Sequence, residues 1–247
     1  DDIGFTNSPW SFSISQLKQT LAVQRCLVIN DFTALAMSLP TLGEGDLRSI
    51  GGGQAVALAP MALLGPGTGL GVSGLLRTPG GHCSALSGEG GHVTLAPTNE
   101  LESEVLRCLR ERHGHVSAER VLSGFGLVNL YQASCDLLGC ASRQLEAADI
   151  TQAAIDASDL ACQQAVSLFA CFLGNVTDNL ALTLGARGGV YVGGGIVPRL
   201  GSAFDAALFR QRFEQKGRFE SYLQAIPTWV ITAATPALLG ASRALDE

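Results

Sequence analysis

Four clusters of glycine divide the chain and limit the folds that it can adopt. The sequence has 30 glycines in 247 residues, and they gather at 51–53, 65–71, 88–91 and 185–195. Such clusters mark tight turns or places where the backbone approaches a ligand closely. Between them, short apolar runs alternate with helical patterns, which predicts an α/β fold. A long helical middle region predicts a second, mixed domain.

Strands and helices are predicted from apolar spacing and from the residues at their ends. Strands are expected at residues 26–29, 55–59, 190–192 and 229–231. Valine and leucine pairs after the second glycine cluster predict a β-hairpin there. Helices are expected after the capping residues Ser13, Asn99 and Ser117, and over residues 32–39, 127–138, 151–184 and 202–213. In the helix after Asn99, we expect Leu101, Val105 and Leu109 to face inward.

Composition and charge exclude several classes of function. Hydrophobic residues make up 47% and charged residues 15%, and the formal net charge is −6, without a basic run. These values are typical of a soluble globular enzyme and disfavour a nucleic-acid partner. The seven cysteines form no CxxC pair, which predicts reduced thiols in a cytoplasmic protein and no metal site. We find no stretch that approaches the ~18–20 apolar residues of a membrane span, so no membrane partner is expected.

A pair of polar residues follows the predicted strand at 26–29. Asn30 and Asp31 stand between Ile29 and Phe32. A carboxylate beyond the end of a buried strand lies where open α/β sheets bind ligands, and it suits a base that accepts a proton from an alcohol. The same residues are equally typical of a cap on the following helix.

The second glycine cluster reads Gly-Pro-Gly-Thr-Gly-Leu-Gly over residues 65–71. Its alternate glycines expose backbone N–H groups to which a phosphate can bind closely, and Thr68 adds a hydroxyl. No Gly-Lys-Ser/Thr follows, so this is not a Walker A motif. An ordinary glycine-rich turn is the alternative.

Three further patterns each allow a functional interpretation and a purely structural one. Glu89 and His92 lie three residues apart among glycines, which suits the recognition of sugar hydroxyls, or a surface loop. Glu119 lies near a short predicted helix and is otherwise typical of a solvated ion pair. The strand at 190–192 runs into Gly193, Gly194 and Gly195, which admit a flat ring or a phosphate against the backbone, or form a strand-to-helix turn.

The order of these patterns along the chain resembles the bacterial glucokinase family. The resemblance covers nearly the whole chain and rests on five blocks, VINDFTALAMSLP (28–40), GPGTGLGV (65–72), GEGGHVTLAP (88–97), GHVSAERVLSGFGLVNLY (114–131) and GGVYVGGGIVPR (188–199). It implies the two-domain, ribonuclease H-like α/β fold of hexokinase, actin and the Hsp70 ATPase. Residues 1–41 plus 233–247 would form an incomplete small domain, and residues 42–232 the large domain.

The resemblance also implies roles for the residues above. Asp31 would be the catalytic base for the 6-hydroxyl of glucose, and Asn30, Glu89, His92 and Glu119 would hold the other sugar hydroxyls. The implied cofactor is ATP with Mg²⁺, and a homodimer is expected. The predicted nucleotide-binding residues are Gly65, Gly67, Thr68 and Gly69 in a phosphate-binding loop, and Gly193, Gly194 and Gly195 on the adenosine side.

Two departures from the family pattern qualify these expectations. Phe125 stands where such kinases carry proline in an SGPG turn. The family's first phosphate loop, Asp-Gly-Gly-Thr, is absent from the sequence, so we expect little ATP turnover from these 247 residues alone, weak glucose binding, and self-association through exposed apolar surface. The alternatives are a kinase for another hexose or an N-acyl sugar, a sugar-sensing regulator, and a degenerate kinase.

Overall fold

The computed structural model describes residues 1–4 and 9–246, and most of its strands form one sheet. A small antiparallel hairpin, β1 (Asp2–Gly4) and β2 (Ser11–Ser13), lies apart from this sheet. The main sheet has six strands in the order β3-β8-β7-β4-β5-β6. They are β3 (Leu47–Gly51), β4 (Met61–Pro66), β5 (Leu70–Arg77), β6 (Cys83–Ser87), β7 (Val190–Val192) and β8 (Thr228–Ile231).

Strand direction places three loops at one edge of the sheet. β4, β7 and β8 run parallel, whereas β3, β5 and β6 are antiparallel to their neighbours. The carboxyl ends of parallel strands meet at the same edge, where α/β sheets bind ligands. The segments that leave these strands begin at Gly67, Gly193 and Thr232.

The described residues form ten helices. They are α1 (Ile14–Leu21), α2 (Asp31–Ser38), α3 (Glu100–His113), α4 (Gly124–Leu138), α5 (Ala147–Ile155), α6 (Leu160–Leu184), α7 (Ile196–Leu200), α8 (Ala206–Glu214), α9 (Glu220–Gln224) and α10 (Pro236–Arg243). The predicted hairpin and the helices after Ser13 and Asn99 are confirmed, because both residues accept a hydrogen bond from the first turn that follows them.

Alternation along the strands sends side chains into two cores. Ala62 and Leu64 of β4 enter the larger core with α3, α4, α6 and α8. Their neighbours Met61 and Leu63 face the opposite way and pack with α2 and α10 in a smaller core. The sheet is therefore covered on both faces, and α2 lies on the face opposite the helical bulk. The predicted division into residues 1–41 plus 233–247 and residues 42–232 stays a prediction.

Several predicted elements differ from those in the structure. Residues 26–29 form no strand, and Leu27 and Val28 are exposed. Residues 55–59 form a turn in which Leu58 has a φ of 61°, and the strand begins later, at Met61. Leu101 of α3 is exposed, whereas Val105 and Leu109 are buried as predicted.

The long helical region is two helices, and one of them has the length of a membrane span. Ala157, with a φ of 52°, separates α5 from α6, and Asp159 caps α6. By length and composition α6 is apolar enough to cross a bilayer, which corrects the expectation that no such stretch exists. Most of its apolar surface is buried within this fold, as in the core helix of a globular protein.

Candidate active site

The N-terminus of α2 presents two polar side chains to solvent. Asn30 is the helix cap, because its Oδ1 accepts the N–H groups of Phe32 at 2.8 Å and Thr33 at 3.2 Å. Asp31 is the first helical residue, and its Oδ1 also accepts the Phe32 N–H at 2.8 Å. The structure thus assigns the cap to Asn30 and leaves the exposed carboxylate of Asp31 available. Asp31 lies at a helix start and not beyond the predicted strand at 26–29.

The second glycine cluster forms the tip of the β4–β5 hairpin. Pro66 pairs with Leu70, so Gly67, Thr68 and Gly69 form the connecting turn. The Gly67 carbonyl accepts the Gly124 N–H at 2.9 Å, which ties the turn to the start of α4. The hydroxyl-bearing Thr68 is the exposed residue at the tip. Gly65 lies lower in the hairpin, where its Cα faces the Phe32 ring and the backbone of the Gly193–Gly194 peptide.

Glu89 reaches the same cleft as the start of α2. It precedes a 3₁₀ turn, Gly90–His92, which packs closely on β5 because Gly90 and Gly91 have no side chains to meet Val72 and Leu70. Asn30, Asp31 and Glu89 line one narrow cleft together with Phe32, Leu70, Gly71, Val72 and Gly88. The structure therefore brings Asn30 and Asp31 together with Glu89, which lies almost sixty positions later in the sequence. His92 is exposed in the same turn as Glu89.

Glu119 approaches the glycine turn from the other side. Its Oε2 accepts the Leu70 N–H at 2.9 Å and lies against Gly69, where any side chain would overlap it. The 3₁₀ turn Ala118–Arg120 that carries it is joined to the segment after His92, because Ala118 N–H donates to the Val93 carbonyl at 2.9 Å. Glu119, one of the predicted sugar-binding residues, therefore also contacts the glycine turn.

The Ser123 side chain fixes the turn that carries Glu119. Its buried hydroxyl donates to the Glu119 carbonyl at 2.7 Å and accepts the Gly126 N–H at 3.0 Å as the cap of α4. Phe125, the departure from the family's SGPG turn, is partly exposed, and the Arg120 guanidinium lies 5.8 Å from its ring centre. The substitution therefore leaves the start of α4 helical.

Two larger clefts meet at the predicted adenosine motif. One, of about 840 Å³, is lined by Gly67, Thr68 and Gly195 from the predicted motifs and by residues of α4, α5 and α7. The other, of about 560 Å³, lies between residues 193–195 and the start of α10. Gly194 has a φ of 75° and sits directly on the Pro66 carbonyl, so this position requires glycine.

Sequence reasoning missed the α5 wall of the larger cleft and its positive charge. Thr151 and Gln152 line it from α5, and Glu146 lines it just before that helix. The Arg199 guanidinium lies 3.2–3.4 Å from where a Cβ on Gly195 would be. The predicted helix at 151–184 joined α5 and α6, so no separate helix was expected beside this cleft. The signal that could have separated them was Asp159, a typical cap residue before an apolar run.

The fold and the site together define a class of protein. A mixed sheet with helices on both faces, glycine turns at the ends of its parallel strands and a carboxylate at the adjoining helix is an α/β fold of the actin and hexokinase type. The family model for glucokinase matches residues 1–247. The chain belongs to the glucokinase family.

Individual relatives agree with this assignment. The chain is 55% identical over 247 residues to a glucokinase of Aromatoleum aromaticum, covering 100% of this chain and 74% of that protein. It is 52% identical over 256 residues to a glucokinase of Ralstonia nicotianae, covering 100% and 75%. The crystal structure of a glucokinase from an Antarctic psychrotroph superposes with a TM-score of 0.93 at 38% identity, covering 99% of this chain and 76% of that one.

Proposed function

We propose that this protein transfers the γ-phosphate of ATP to the 6-hydroxyl of glucose and releases glucose 6-phosphate and ADP. Membership of the glucokinase family supports the reaction. The observation that carries the assignment of residues is the exposed Asp31 carboxylate, which shares a cleft with Asn30 and Glu89 and adjoins the β4–β5 hairpin whose tip is the glycine turn.

On the sugar side, the donors and acceptors left over by internal hydrogen bonds suit hydroxyl groups. The Oδ1 of Asn30 is used in capping α2, which leaves its NH₂ group to donate to a sugar oxygen. The Oε2 of Glu119 is used by Leu70, which leaves Oε1 to accept a sugar O–H. Glu89 and His92, both exposed, would complete the set. A sugar that lacks one of these hydroxyls would leave a polar group unpaired, at about 1–3 kcal/mol each.

On the nucleotide side, backbone groups would bind the phosphates. Within the turn, the Gly67 amide donates to the Gly69 carbonyl and the Leu70 amide to Glu119, so the amides of Thr68 and Gly69 and the Thr68 hydroxyl would face a phosphate. The adenosine would lie in the larger cleft between α5 and residues 193–195, where Arg199 adds a positive charge. We include Gly65 as the residue whose lack of a side chain lets the glycine triplet approach the hairpin.

Mg²⁺ fits this site as a companion of the nucleotide. Among the described residues no group of three or more His, Cys, Asp and Glu side chains is arranged as a metal site. Mg²⁺ in such kinases is usually held by phosphates, waters and one or two carboxylates, so a preformed cage is not needed. Asp31 and Glu89 are the exposed carboxylates of the narrow cleft. When bound, the ion would offset negative charge on the phosphates.

In the reaction, Asp31 accepts the proton of the 6-hydroxyl while that oxygen bonds to the γ-phosphorus. The bond from this phosphorus to the β–γ bridging oxygen breaks, and ADP leaves with that electron pair. Because the transfer is largely a matter of positioning, the enzyme contributes mainly by holding base, alcohol and phosphate in line. We place this activity at the entry of glucose into glycolysis in the cytoplasm. Support for the compartment is that no disulfide joins the seven cysteines, all of which lie in the described part of the chain. The homodimer stays a prediction.

The decisive experiment is a coupled glucose 6-phosphate assay on the complete product of the gene, since the chain spans about three quarters of the length of its relatives. We expect Asp31→Asn to lower kcat by roughly 10²–10⁴-fold, the usual contribution of a general base. Glucose binding, measured by calorimetry on the same variant, should change little. Wild-type activity on glucose with no loss in Asp31→Asn would refute the role of this residue, and no activity on glucose would refute the function.

A further inference from the structure

The ring of Phe32 occupies a bare patch on the β4–β5 hairpin. Gly65 and Gly71 are direct partners across the two strands, one pair below the turn-closing pair of Pro66 and Leu70. A methyl group on either glycine would overlap the Phe32 ring. Neither glycine has a positive φ, so what the positions require is space and not an unusual backbone. The outer glycines of the cluster therefore form a seat for an aromatic ring, whereas Gly67 and Gly69 form the turn.

The backbone of the same residue holds both polar side chains at the start of α2. The Phe32 N–H donates to Asn30 Oδ1 and to Asp31 Oδ1, at 2.8 Å in each case. The ring and the amide of one residue thus link Asp31 to the hairpin that carries the glycine turn. The seat also adjoins the adenosine side, since Gly65 lies against the backbone of Gly193 and Gly194.

We infer that Phe32 is a positioning residue for phosphoryl transfer and sets the spacing between the Asp31 carboxylate and the glycine turn. The inference rests on the proposed function. Its physical basis is that a misplacement of about 1 Å at a reacting group can lower the rate about a hundredfold. The side chain does not need to contact sugar or nucleotide to have this effect, because it fixes the helix that carries the base.

A size-exchange experiment tests the seat directly. In the complete gene product, Phe32→Leu should loosen α2, and Gly71→Ala should push the ring out of its seat. Each change should lower kcat about tenfold or more while changing the glucose Kd by less than about threefold. In the double variant, which carries both Phe32→Leu and Gly71→Ala, the methyl group added at position 71 fills part of the space left by the Phe32 ring. We therefore expect its kcat to exceed the product of the two single effects by at least about fivefold. Independent, multiplicative effects would overturn the inference.

The matched control lies in the same strand. At Gly74 an added methyl would come within 2.7 Å of Leu184 Cδ1 and would not touch Phe32. Gly74→Ala should lower the melting temperature through the same kind of overpacking and leave kcat within about twofold. If it lowered kcat as much as Gly71→Ala does, the rate effect would be general destabilisation and the inference would fall.

A readout without activity separates this inference from the proposed function. Amide hydrogen exchange at Phe32 and Thr33 should rise about tenfold or more in Gly71→Ala and stay at the wild-type rate in Gly74→Ala, because those amides donate to the Asn30 and Asp31 side chains. Loss of activity in Asp31→Asn with unchanged exchange in Gly71→Ala would reject the Phe32 seat and retain the function. Increased exchange in Gly71→Ala, together with no glucose 6-phosphate formed by the wild-type protein, would retain the Phe32 seat and reject the function.

Discussion

An acidic side chain on one face of the sheet and two on the other face are held in opposite ways. On the face of the smaller core, Asp31 is exposed at the start of α2 and accepts a backbone N–H. On the face of the larger core, the side chains of Glu102 in α3 and Asp178 in α6 are each 1% exposed. Each of these is paired with a cation of α8 or of the segment after it, Glu102 with Arg212 at 2.5 Å and Asp178 with Lys216 at 2.6 Å.

The contrast separates a carboxylate that can react from one that holds helices together. A carboxylate held by a backbone amide at a surface cleft keeps an oxygen for a ligand. A buried carboxylate must be matched by a cation and hydrogen bonds, because an unpaired charge in the interior is very costly. Glu102 meets this requirement fully, since it also accepts the Thr98 N–H at 2.7 Å and the Asn99 Nδ2–H at 3.2 Å. Stability should therefore depend on the buried acids and catalysis on the exposed one.

Removing the cation of a buried pair should have the largest effect on stability. Arg212→Leu would leave Glu102 buried without its partner, and we expect the free energy of unfolding to fall by about 3–5 kcal/mol. Urea denaturation followed by circular dichroism measures it. The matched control is Arg107→Leu, which breaks exposed pairs with Glu104 and Glu111 on the same helix and should leave the urea midpoint nearly unchanged. Equal effects of the two variants would erase the distinction between buried and exposed carboxylates.

The pH dependence of stability should reveal Asp178. Burial raises the pKa of its carboxyl to about 6, against the opposing effects of Lys216 and Arg212. Below about pH 4 the folded and unfolded chains both hold this proton, and between about pH 4 and 6 only the folded chain does. This group therefore lowers stability as pH rises through that window, by up to about 3 kcal/mol, and adds no slope above it.

Asp178→Asn isolates that contribution, because the amide keeps the shape and cannot lose a proton. We expect the stability of the variant relative to wild type to improve between pH 4 and pH 7, as measured by urea unfolding at each pH. A difference between Asp178→Asn and wild type that stays constant with pH would show that the Asp178 proton is held equally in both states.

Elements fixed by contacts between near neighbours in the sequence were predicted, whereas elements that depend on distant contacts were not. The starts of α1 and α3 were predicted because the Ser13 and Asn99 caps bond to N–H groups three residues away. The strand at 55–59 was mispredicted because its apolar run looks like that of β4. What selects β4 is pairing with β5 and β7, and β7 lies more than a hundred residues away in sequence.

The site shows the same limit. Asn30, Asp31 and Glu89 were grouped through the family resemblance, since no local pattern indicates that residues so far apart share a cleft. The contact of Gly65 and Gly71 with the Phe32 ring was not predicted. That contact joins a helix to a hairpin 33 or more positions later, and residue spacing carries no sign of it.

The smallest expected effect tests whether stability and glucose binding are separable at one hydroxyl group. Ser123 caps α4, which packs in the larger core, and also holds the carbonyl of Glu119. Ser123→Ala should lower the free energy of unfolding by about 1 kcal/mol, as is typical for a lost cap. It should also raise the KM for glucose several-fold, because the Glu119 turn loses its tether. Asp205→Ala, which removes the comparable cap of α8 at the Leu208 N–H, should lower stability similarly without changing that KM. If both caps change stability alike and neither changes KM, the bonds that hold the Glu119 turn are the backbone contacts of Ala118, and Ser123 serves α4 alone.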